Sequence, residues 1–167
     1  MSDDDQLTEE ELANAEWNPS PLDERNRAEI RLTVDMLEGI AKHAEEGFPE
    51  EVVGLMIGNT ENGVTDVTEV RPLENTAPSN RRRRYAVNEL EVMKIDRAAG
   101  EQGLTLLGFY HSHPNHPAAP SVTDLEQAST VFSYVIQSVT DGQAGEITSW
   151  RKTDDENAFY KEEIVKK

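Results

Sequence analysis

The stretch His111-Ser112-His113-Pro114, followed by Ser121 and Asp124, gathers the side chains best suited to hold a metal ion. The chain has four histidines, and His111, His113 and His116 fall within six positions. In extended backbone, alternate side chains share a face, so His111 and His113 can meet one ion together. Pro114 lacks the N–H for a further ladder bond and turns the chain. Asp124 follows His113 by eleven residues, in the first turn of a predicted helix that can return it to the same point. Two imidazoles and a carboxylate make a three-ligand zinc set with one position left for water, as in catalytic sites. A metal there lowers its water's pKa toward about 7 and polarises a carbonyl. A carboxylate must then carry the proton. Glu50 and Glu51 stand at the mouth of an apolar run, where partial desolvation raises a carboxylate's pKa. The Ser121 hydroxyl can donate to a developing oxyanion, although Ser121 and Asp124 also read as a helix capping box. His116 reads as a solvent-facing loop residue, at most a substrate contact.

The elements that must position these groups follow from periodicity. "EIRLTV" predicts a short strand. Val34, Leu37, Ile40, Ala41 and Ala44 recur at helical spacing and predict an amphipathic helix over about 34–46. "VVGLMIG", residues 52–58, is a continuous apolar run, as in a strand buried on both faces. Asn62-Gly63 predicts the turn of a hairpin to "VTDVTEVRPL". "RYAVN" predicts a strand entering a helix over about 89–99, with Asn88 as its cap. "LTLLGFY", residues 104–110, predicts the strand that delivers the histidines. A helix over about 122–130, a strand "FSYVIQSV", a turn at Asp141-Gly142 and strands at "EITSWRK" and "AFYKEEIV" complete the chain. Strands and helices mix without strict βαβ alternation, which points to an α/β, mixed α+β, single domain.

The 167 residues suit one domain with its own core. There is no cysteine, which excludes disulfides, thiol nucleophiles and Cys-ligated metals, leaving His, Asp or Glu as ligands. The net charge of −17 argues against nucleic-acid binding. It also suits adaptation to a salty cytoplasm. No apolar stretch is long enough for a membrane span, and the start lacks the features of a secretory signal. The expectation is a soluble cytoplasmic protein. Residues 1–28 carry nine acids against Arg25 and Arg27 and predict a disordered acidic extension, within which Leu12 and Trp17 could anchor a short helix. The globular domain is expected over 29–167.

"HSHPNHPAAPSVTD" resembles the signature of JAMM metalloproteases, or MPN-plus domains: His-x-His-Pro, six residues, then Ser-x-x-Asp. "EVVGLMIG" is similar to the same family's glutamate-containing strand, Glu-x-x-Gly followed by apolar residues. The resemblance covers about 30–165. It implies an MPN/JAMM-type, deaminase-like curved mixed β-sheet flanked by helices, and one zinc ion on His111, His113 and Asp124. It also implies Glu51 as general acid/base and Ser121 as oxyanion donor. The implied activity is hydrolysis of the peptide or isopeptide bond after the C-terminal glycine tail of a ubiquitin-like or sulfur-carrier protein. Polyubiquitin-cleaving members carry long insertions around the active site, for which this chain leaves little room after Asp124.

Other readings remain at this stage. They are a non-catalytic MPN scaffold and another single-zinc hydrolase; a zinc deaminase lacks its Cys ligands here. The substrate's tail could add as a strand to a sheet edge. Arg81 to Arg84 interrupt the acidic trend. They read as a solvated loop, as a dock for an acidic modifier, or as a dock for the chain's own acidic N-terminal segment.

Overall fold

The computed structural model describes residues 28–167. The acidic extension, including Leu12 and Trp17, lies outside the described residues but for Ala28. The chain then runs through β1 (Glu29–Leu32), α1 (Val34–Gly47), β2 (Val53–Glu61), β3 (Val64–Leu73), α2 (Glu89–Glu101), β4 (Thr105–Pro114), α3 (Val122–Gln127), β5 (Ser133–Thr140), β6 (Gln143–Lys152) and β7 (Phe159–Lys166).

Local chemistry sets the boundaries. The Thr33 hydroxyl accepts from the Met36 N–H at 3.1 Å and starts α1. The Asn88 side chain accepts from the N–H groups of Leu90 and Glu91 and starts α2, so the cap expected there forms. Asn62 (φ 52°) and Gly63 (φ 79°) make the hairpin turn between β2 and β3. The "RYAVN" segment differs from expectation. Residues 84–88 form no strand, because their backbone groups bond elsewhere. The Asn75 amide donates to the carbonyl of Arg84, and its oxygen accepts from the Ala86 N–H. Tyr85 and Val87 still pack on the core, which explains their strand-like alternation.

The strands order as β1-β3-β2-β4-β5-β6-β7 in a mixed sheet that closes on itself. Closure comes from β1, which pairs parallel with both β3 and β7. The curved mixed sheet implied by the resemblance is thus a ring. The seam is short: β1 meets β3 only over Glu29–Arg31 with Val64–Asp66, so among the described residues β3 beyond Asp66 has no strand on that side and keeps an edge of the kind a substrate strand could use.

The central strand β2 is buried on both faces, as its apolar run predicts. Val52 and Met56 pack with Ile40 and Ala44 of α1. Val53, Leu55 and Ile57 pack with Ala99 of α2. A third cluster joins Tyr134, Ile136, Trp150 and Phe159. Each fully buried Leu or Ile contributes about 1.5–3 kcal/mol.

One irregularity decides where the histidines face. The pairing of β2 with β4 slips between Met56 and Ile57, opposite Gly108 and Leu106. Leu107 packs on the α1 side, yet Phe109, two residues on, packs on the α2 side. The bulge reverses the alternation and re-aims everything after it. Gly108 occupies the slip with φ 153°, and a Cβ there would stand 1.9 Å from the Ser133 carbonyl oxygen. Only glycine fits.

Candidate metal centre and its cleft

β4 carries His111 and His113 to its end on one face, as the i, i+2 spacing predicts. Ser112, between them, faces the other way. Its hydroxyl accepts from the Val52 N–H at 2.8 Å, and its own N–H donates to the Val52 carbonyl at 3.1 Å. This pair of bonds fixes the histidine-bearing strand against the residue next to Glu51.

Asp124 returns to the histidines on α3. Its Oδ1 lies 3.3 Å from His111 Nε2 and its Oδ2 lies 3.3 Å from His113 Nε2. The two Nε2 atoms are 3.1 Å apart. These three residues form a group that could hold a metal ion. The geometry fits the donor chemistry: corners of a tetrahedron around zinc, at its usual bond lengths to imidazole, lie about 3.3 Å apart.

The histidines are oriented by different means. His113 Nδ1 donates to the Pro117 carbonyl at 2.8 Å, which leaves Nε2 of the neutral ring with a bare lone pair. His111 Nδ1 is buried without a partner among the described residues. Its ring is held instead by Tyr85, stacked at 4.7 Å between centroids with 29° between planes. Nothing in the sequence reading singled out Tyr85; its signal was submerged in an apparent strand.

In the metal-free site the charges are strongly coupled. Burial pulls the His113 pKa down, but the hydrogen bond and charge of Asp124, with the charge of Glu51, outweigh it and raise it to about 9. Burial pushes the Asp124 carboxyl up, and the two imidazoles overcome that and hold it well below the usual carboxylate range. The Tyr85 hydroxyl is pushed well above its ordinary value by burial and then by Asp124 and Glu51.

Ser121 and Asp124 form the anticipated capping box as well. Ser121 Oγ accepts from the Asp124 N–H, and Asp124 Oδ2 accepts from the Ser121 N–H, both at 2.9 Å. The two uses are compatible. The cap occupies lone pairs of the Ser121 oxygen and leaves its O–H able to donate. Asp124 keeps Oδ1 for His111, and Oδ2 serves both His113 and the cap.

Glu51 is 8% exposed and lines a cavity of about 720 Å³ together with His113, Ser121 and Asp124. Glu50 is exposed, so of the two candidates Glu51 is the one in the cleft. Its backbone is held from both sides: its N–H donates to the Arg81 carbonyl at 2.7 Å, and its carbonyl accepts from the Asn75 amide at 2.9 Å. The loop 74–88 therefore forms the far wall of the cleft. His116 is half-buried on the cavity's lining rather than turned to solvent. Burial lowers its pKa first, and the charges of Arg83 and His113 lower it further.

The class of protein is settled by this fold and a family match together. The profile described as "Prokaryotic homologs of the JAB domain" matches residues 33–153, and the chain belongs to that family. Among its relatives, a Thermus thermophilus protein described as "Probable TtuB-protein conjugate cleaving protease" is 39% identical over 101 residues, 60% of this chain and 64% of that protein. The match thus spans less than two thirds of the Thermus protein. Desampylase from Haloferax volcanii is 36% identical over 104 residues, 60% of this chain and 73% of the relative. A solution structure of a Salinibacter ruber protein shares 40% of its sequence with a TM-score of 0.64, covering 83% of this chain and 91% of that one.

Proposed function

We propose that the protein is a zinc-dependent hydrolase that cleaves the peptide or isopeptide bond after the C-terminal glycine tail of a ubiquitin-like or sulfur-carrier protein. The observation that carries this reading is the convergence of the two Nε2 atoms, 3.1 Å apart and each 3.3 Å from one of the Asp124 oxygens, on a cleft that Glu51 and Ser121 also line. The relatives named as a conjugate cleaving protease and a desampylase support the choice of reaction.

His111, His113 and Asp124 hold the metal, which when bound acts as a Lewis acid on a carbonyl and makes water a better nucleophile. Glu51 takes the proton from the attacking water and delivers it to the leaving amine. It is buried on the cavity lining with Asp124, within the cleft where a general acid/base must act. Ser121 keeps its cap and turns its O–H toward the oxyanion. A glycine tail fits because, lacking Cβ atoms, it can thread between loop 74–88 and α3. The cleft walls hold the tail. The chain runs from α3, ending at Gln127, to β5, starting at Ser133. That short connection suits a small modifier more than polyubiquitin.

The test uses β-grasp modifiers carrying a short extension after their terminal glycines. Zinc-loaded protein should cut after the last glycine and stop on addition of a chelator. Glu51→Gln should bind zinc normally and lose about 10²–10⁴ in kcat. Cleavage that survives metal removal would refute the reading. A Glu51→Gln variant of full activity would remove Glu51 from its role.

A further inference from the structure

We infer that Arg83, with His116 beside it, forms a subsite for a carboxylate on the leaving-group side of the scissile bond. The inference rests on the reading of the cleft as a glycine-tail peptidase.

Four consecutive arginines stand on the loop that walls the cleft, and they do not behave alike. Arg81 is used by the fold: its Nε donates to the Ala77 carbonyl at 2.7 Å, and its own carbonyl accepts from Glu51. Arg82 is exposed. Arg83 lines the cavity together with Glu51, His113 and Asp124. Its Nη1 is buried and has no hydrogen-bond partner among the described residues. A buried guanidinium N–H without an acceptor is costly and uncommon. It becomes intelligible where a ligand completes it.

The loop keeps that donor in place. The N–H groups of Arg83 and Arg84 both donate to the Asn80 carbonyl at 3.0 Å, at a residue with φ 54°. Asn75 clamps the loop's two ends with four bonds, to Glu51, Ala77, Arg84 and Ala86. The backbone beneath Arg83 is thus fixed before any substrate arrives, so little ordering is needed on binding. His116 lies on the same lining, close enough for the Arg83 charge to lower its pKa. Its imidazole can donate a hydrogen bond to the same group.

A guanidinium fork matches a carboxylate in bidentate fashion. The position of that carboxylate along the substrate follows from chemistry. The residues before the scissile bond are glycines and bear no side chain. The tail itself cannot supply the acid, which is assigned to the side beyond the bond. It is either an acidic side chain of the leaving group or, where a single amino acid leaves, its own α-carboxylate.

Three peptides separate these sources: acetyl-Ala-Ala-Gly-Gly-Ala-amide, the same peptide ending in Asp-amide, and the same peptide ending in alanine with a free carboxylate. Their dissociation constants are measured on Glu51→Gln protein, which leaves the peptides intact, with Arg83 and with Arg83→Ala or Arg83→Lys. At least one acidic peptide should bind about tenfold or more tightly than the amide. Arg83→Ala should abolish that preference, and Arg83→Lys should keep part of it. Whichever acidic peptide shows the effect identifies the source. Equal binding of all three peptides would overturn the inference. So would a preference that persists in Arg83→Ala, because the carboxylate would then be held elsewhere, for instance on the metal. Cleavage of extended modifiers by the unaltered enzyme tests the proposed function separately, since it does not depend on this ratio.

Discussion

At the scale of single residues, the two imidazoles proposed to hold the metal have unlike supports. His113 has a carbonyl partner for Nδ1 at 2.8 Å, whereas His111 relies on the flat ring of Tyr85. Tyr85→Ala should therefore weaken zinc binding by about tenfold or more, as loss of an outer support commonly does. Tyr85→Phe should leave it nearly unchanged, because the stack survives; a competitive chelator titration would separate the two. A second consequence concerns protons. In metal-free protein His113 titrates at about 9, above its unfolded value of about 6.5. Its contribution to stability is thus complete below about pH 6.5 and is lost as the pH rises through about 9. Metal requires the bare Nε2 and must displace that proton. Apparent zinc affinity should rise from pH 6 to 9, with proton release detectable by calorimetry in buffers of different ionisation enthalpy. A flat profile would show that His113 is already neutral.

At the scale of elements, the glycine at the bulge is as consequential as the histidines that follow it. Gly108→Ala would set a methyl group against the Ser133 carbonyl in a backbone region that side chains seldom enter. The variant should lose at least about 2 kcal/mol in urea denaturation. It should also lose zinc binding in its folded fraction, because restoring regular pairing would turn His111 and His113 to the wrong face. The sequence did not announce this bulge; "LTLLGFY" looks like an unbroken apolar strand whatever its register. Much else was readable. The hairpin at Asn62-Gly63, the cap at Asn88, the shared face of His111 and His113, and the Ser121–Asp124 box all depend on residues close in the chain. "RYAVN" misled because Tyr85 and Val87 face the core as strand residues would, while the Asn75 side chain claims the backbone bonds that would have made a ladder. Asn75 lies ten residues before Tyr85 and gives no local sign of that role.

At the scale of the whole molecule, the net charge of −17 is the dominant fact. Like charges repel across the folded surface, and salt screens them with a Debye length of about 10 Å at 0.1 M and about 3 Å at 1 M. The thermal midpoint should rise as potassium chloride increases from 0.1 M to 2 M. A midpoint that stays level or falls would count against adaptation to a salty interior. None of the described helices is long and apolar enough to cross a membrane. Ring closure was beyond sequence reading, because the partners of β1 lie in β3 and in β7, more than a hundred residues away at the latter, and parallel pairing needs no turn that a sequence could display.

That last seam has a consequence for biosynthesis. The ribosome makes β1 well before β7, so a nascent chain cannot seal its cylinder until translation has passed Lys166. Until then β1 has an uncovered flank able to hybridise with another emerging polypeptide. The cleft, lined by residues from the middle of the chain, can take shape before β7 exists.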